Sequence, residues 1–106
     1  MGLFGKKEMD KIAAKNFWIW FSENEEWILQ NLKSNGMAVV ETIDAELKPL
    51  FPYFKKELAF QLGFHDGKGE FFFFHMGNKN LKRDAEILKS MMASKLMSRW
   101  TFIIEK

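Results

Sequence analysis

Between Phe17 and Leu32 the large apolar side chains return every three, four or seven positions, at Phe17, Trp20, Phe21, Trp27, Ile28 and Leu32. That spacing lines them along one stripe of a helix, where 3.6 residues complete a turn. It predicts a first helix over about Lys15–Lys33, capped by Asn16 or reaching back through Ile12 and Ala13. Ser34-Asn35-Gly36 ends it, since Gly36 tolerates the left-handed conformation that closes helices. Val40, Ile43 and Leu47 carry the helical period on over about Met37–Lys48. Pro49 and Pro52 stop this second helix, because proline lacks an amide hydrogen and crowds the turn before it. Leu50, Phe51 and Phe54 fit one short extra turn.

From Leu58 the period shortens to two. Leu58, Phe60, Leu62 and Phe64 share one face, and Ala59, Gln61 and Gly63 share the other. Asp66-Gly67-Lys68-Gly69 supplies a turn, and Glu70–Met76 returns as a second strand. This hairpin pairs His65 with Glu70 and sets His75 opposite Phe60. Gly77-Asn78-Lys79-Asn80 then leads into a third helix, about Leu81–Lys95, with Leu81, Ala85, Leu88, Met91 and Met92 on its apolar stripe. Trp100, Phe102 and Ile104 alternate with Thr101 and Ile103 as a closing strand. The fold class is α+β: two N-terminal helices, a β-hairpin, a helix and a final strand (ααββαβ), forming a small three-stranded sheet packed on helices. A right-handed crossover joins the second and third strands. The pattern leaves open which hairpin strand the third one lies beside.

Composition fits one domain over residues 1–106, with 1–14 as a flexible or helical arm. The chain is 47% apolar and 16% aromatic, enough for a packed core in 106 residues. It has no cysteine, which excludes disulfides, thiolate metal sites and cysteine nucleophiles and suits a reducing, cytoplasmic compartment. No apolar run reaches the roughly 18 residues of a membrane helix. Met1–Lys7 lacks a signal peptide's apolar stretch, and Lys6 stands where a myristoylation start needs serine or threonine. The net charge of +2 is too small to argue for nucleic acid. Its distribution is uneven: residues 15–46 hold two lysines against six acids, and residues 79–106 hold seven Lys/Arg against three acids. An acidic and a basic side favour oriented association with a charged partner.

The stretch Phe17-Trp18-Ile19-Trp20-Phe21-Ser22-Glu23-Asn24-Glu25 resembles the opening of a group of small uncharacterised bacterial domains. Those domains begin with a tryptophan, tryptophan-phenylalanine and asparagine-glutamate pattern, and continue through a hairpin, a helix and a tryptophan-led strand, here Trp100-Thr101-Phe102. The resemblance implies a bacterial α+β domain and supplies no activity, cofactor or site residue.

Candidate chemistry is sparse. With the expected register, His75 lies five residues from Glu70, roughly 16 Å at about 3.3 Å per residue, and on the opposite face from His65. One metal ion cannot join the two histidines. His65, Asp66 and Glu70 remain as a small polar cluster at the hairpin end, the one place for an unfamiliar enzymatic site. Glu23, Glu25 and Glu26 point about 100° apart on a helix and do not form the converging pair that acid–base catalysis needs. Gly67-Lys68-Gly69 and Gly77-Asn78-Lys79 do not match the P-loop or the dinucleotide fingerprint. Lys68–Phe74 loosely resembles the basic-glycine-aromatic strand that stacks RNA bases, but Glu70 and Phe71 break its pattern and the element order differs. Catalytic, cofactor and metal residues are therefore expected to be none.

The four consecutive phenylalanines carry the functional expectation. Phe71 and Phe73 face the core; Phe72, Phe74 and Met76 face away, beside Thr101 and Ile103. If the helices cover one face only, the other exposes on the order of 300–500 Å² of apolar surface, a size that often marks an interaction. The alternative is that the first helix or the amino-terminal arm covers it. The expected function is a non-catalytic bacterial protein-interaction domain, for example an immunity-type or adaptor protein, with Phe72, Phe74, Met76 and Ile103 as partner surface. Self-association through that face or the carboxy-terminal strand is a second form of the same expectation. An uncharacterised enzyme or a single-stranded nucleic-acid binder is the competing one.

Overall fold

The computed structural model describes residues 7–106. The myristoylation and signal-peptide expectations, and most of the expected amino-terminal arm, lie outside them. Five helices, a short 3₁₀ turn and three strands follow in order: α1 (Lys11–Glu23), α2 (Glu25–Asn31), α3 (Gly36–Leu47), the turn Lys48–Leu50, β1 (Ala59–His65), β2 (Lys68–Phe74), α4 (Lys79–Ser90), α5 (Ser94–Met97) and β3 (Trp100–Ile104). The fold is α+β, and the order ααββαβ holds only roughly.

The expected first helix is two helices. It starts at Lys11 because Asp10, not Asn16, is the cap: its carboxylate accepts from the amides of Ile12 and Ala13 at 2.9 and 3.3 Å. The Asn24 backbone amide closes α1 on the carbonyls of Trp20 and Phe21. Its side-chain amide also donates to the Trp20 carbonyl at 2.9 Å, so a residue that competes for backbone bonds sits where α1 gives way to α2. At the other end, Ser90 and Met91 close α4, and Ala93 starts the separate one-turn α5.

The sheet order is β1-β2-β3, with β1 and β2 antiparallel and β2 and β3 parallel. The hairpin is tighter than the glycine-rich stretch suggested. His65 pairs with Lys68, and only Asp66 (φ 54°) and Gly67 (φ 73°) form the loop. Both carry the positive φ of a two-residue turn whose twist matches the strands. The register therefore sets Gly63 opposite Glu70, and Phe60 opposite Phe73 rather than His75.

All the large core side chains lie on one face of the sheet. Phe71, Phe73, Trp100 and Phe102 are at most 1% exposed and meet Trp18 and Phe21 of α1 and Phe51 behind α3. Trp18 lies off the stripe predicted for the first helix, yet it is 2% exposed and its indole donates to the Leu88 carbonyl of α4 at 2.7 Å. Val39 is buried where Val40 was expected. Gly69 is required at its place: a Cβ there would collide with the Trp100 ring lying over it.

Candidate functional site

Strand alternation sends Phe72 and Phe74 of β2 and Ile103 of β3 to the face opposite the core. All three are half-buried, none packs against the core cluster, and neither phenylalanine has an aromatic neighbour among the described residues. Around them lie exposed Gln61, Thr101, His65 and Lys68, with Ala59, Gly63 and Glu70 half-buried between. The face is therefore a small apolar centre in a mixed polar rim. Met76 does not extend it. β2 ends at Phe74, and Met76 turns away at φ 54°, half-exposed, its amide donating to Glu105 Oε1 at 3.0 Å.

The hairpin-end cluster stays open to solvent. His65 Nε2 lies 3.8 Å from Glu70 Oε1, too far for a hydrogen bond, with His65 largely exposed. Asp66 is taken up in the turn. His75 sits apart at the end of β2, where its Nδ1 accepts from the Gly77 amide at 3.0 Å and lies 3.8 Å from Glu105. Its Nε2 is buried without a hydrogen-bond partner. Among the described residues no three His, Asp or Glu side chains gather as a metal-ligand set.

Two charged clusters escaped sequence reasoning, because each joins residues about 75 positions apart. In the first, Glu25 at the start of α2 takes hydrogen bonds from Arg99 Nε and Nη2 at 2.9 Å and from the Trp100 indole at 3.0 Å. The Arg99 guanidinium beside it holds the Glu25 carboxyl below its ordinary value, against the opposing effect of burial. In the second, Asp84 on α4 is wholly buried. Its Oδ1 accepts from the Met9 amide at 3.1 Å and Arg83 Nε at 2.9 Å. Its Oδ2 accepts from the Tyr53 hydroxyl at 2.7 Å and Arg83 Nη2 at 3.2 Å. Burial, reinforced by that bond to Asp84, pushes the Tyr53 hydroxyl well above its ordinary value. Each cluster consumes its polar atoms in joining chain segments. The expected split into an acidic and a basic side is correspondingly weakened, since Glu25 of one segment is neutralised by Arg99 of the other.

A cleft of ≈ 500 Å³ opens between α2 and β1, lined by Leu29, Leu32, Lys33, Leu62 and Phe64 among others. No described helix is long and apolar enough to cross a membrane. No family model, curated protein or solved structure matches the chain.

Proposed function

We propose that this chain is a non-catalytic protein-binding domain, whose contact surface is the sheet face centred on Phe72, Phe74 and Ile103. The observation that carries the reading is that these three half-buried apolar side chains lie outside the core cluster, on the sheet face opposite it. Two phenylalanines so placed leave part of their apolar area in water; covering it against another surface returns roughly 25 cal/mol for each Å² removed from water. The rim of Gln61, Lys68, Glu70 and Thr101 supplies the polar border of a reversible interface. An immunity-type or adaptor role is the form this reading takes.

The test uses the purified protein as bait in lysate of its source organism, beside the double variant Phe72→Ser/Phe74→Ser. The expected result is one protein held in near-stoichiometric amount by the parent and lost by the variant. The variant should lower the thermal midpoint by about 5–10 °C and stay folded. A variant that unfolds outright, or that retains the partner, overturns the reading.

A further inference from the structure

The sheet order leaves β1 as an edge strand. Gly69 donates its amide to Arg99, and Phe73 accepts from Glu105, so the odd-numbered backbone groups of β2 point to β3. Its even-numbered groups, at Lys68, Glu70, Phe72 and Phe74, therefore bond to β1, at His65, Gly63, Gln61 and Ala59. That leaves the amides and carbonyls of Phe60, Leu62 and Phe64 pointing away from the sheet. No hydrogen bond from another described residue reaches them. Edge strands are ordinarily blunted by proline, lysine or a bulge. The strand Ala-Phe-Gln-Leu-Gly-Phe-His has none: it holds no proline or lysine, and its pairing with β2 runs without interruption. Phe64, on the core side, remains 37% exposed at this edge.

We propose that two copies of the chain join antiparallel through β1, about a two-fold axis at Gln61, to form one six-stranded sheet. A complementary pair at the strand ends favours a second copy, in this register, as the occupant. With Gln61 facing its own counterpart, Phe60 bonds to Leu62 of the second copy, and Phe64 to Leu58. The same register brings Glu57 opposite His65, a contact made twice by symmetry. Sliding by two residues toward the start of the strand sets Lys55 against His65 instead. Neighbouring strands lie about 4.8 Å apart, so Phe60 of the second copy arrives beside Leu62. The space it needs is the cleft between β1 and α2, where Leu29 and Leu32 offer apolar contact.

Sedimentation and amide exchange test this together, over a range of protein concentrations. The expected result is a monomer–dimer equilibrium in which the amides of Phe60, Leu62 and Phe64 exchange at least about tenfold more slowly in the dimer. Gln61 is exposed, so replacing it leaves the fold intact. Gln61→Lys and Gln61→Glu should each loosen the dimer about two- to fivefold, and an equal mixture of the two should restore it. Phe72→Ser/Phe74→Ser should leave this equilibrium unchanged, which separates it from binding at the open face. A monomer at every concentration overturns the proposal. So does a dimer in which the three amides exchange freely, or capture of a strand from a different protein at this edge.

Discussion

Asp84 shows how one side chain fixes the position of chain segments that share no sequence signal. It is a wholly buried carboxylate, and its two oxygens take up the Met9 amide, the Tyr53 hydroxyl and the Arg83 guanidinium. Removing it strands the buried Met9 amide and the Tyr53 hydroxyl. Asp84→Ala should therefore cost about 3–5 kcal/mol in urea unfolding, and Asp84→Asn, which keeps an acceptor, markedly less. Equal losses for the two would mean that volume rather than bonding matters there. Nothing local in Arg83-Asp84-Ala85 marks this residue, which in an amphipathic helix reads as one more polar position. Trp18 is the converse case. A strict stripe through Phe17 and Phe21 leaves it to one side, but the helix is covered on two flanks and the indole finds the Leu88 carbonyl. The outward placement of Phe72 and Phe74 was legible, because a two-residue period fixes faces without reference to anything distant.

At the scale of elements, types were clearer in the sequence than ends. The hairpin and the final strand were written in alternation, and Asp66-Gly67 in the turn they make. The boundaries went to whichever polar side chain reached an orphan amide first: Asp10 at α1 and Asn78 at α4, where its side chain accepts from Asn80 and Leu81. The junction of α1 and α2 has a chemical consequence. Glu25, placed there, ties the helices to the start of β3 through Arg99 and Trp100. Its folded pKa lies below the ordinary 4.5, so its contribution is fully present above about that pH and is lost as pH falls through the lowered value. Arg99 is 43% exposed, and solvent screening keeps the effect to about 1–2 kcal/mol. Glu25→Gln should be less stable than the parent at neutral pH. The gap between their thermal midpoints should narrow as pH drops below 4.5, and a constant gap would assign the tie to hydrogen bonding alone.

For the molecule as a whole, what sequence reasoning lacked was strand order. That order puts β2 at the centre and leaves β1 as an edge, and β1 carries none of the proline, lysine or bulge that marks an edge strand in sequence. The described residues span 45 × 27 × 23 Å, an elongated body to which an added strand extends one side. β2 draws its neighbours from very different distances along the chain. β1 lies two loop residues away, while β3 arrives only after α4 and α5, bringing Trp100 and Phe102, both 1% exposed. A chain shortened to residue 99 should retain helical circular dichroism but lose the dispersed methyl and ring resonances of a fixed core, since Trp18, Phe21 and Phe71 would each lose a packing partner. Cooperative unfolding of that fragment, with native-like dispersion, would show instead that β3 is an accessory.

During synthesis, β2 leaves the ribosome with one side already paired and the other waiting. Five helices and the hairpin must stand by, their aromatic interior facing solvent or a chaperone, until residue 104 has cleared the exit tunnel.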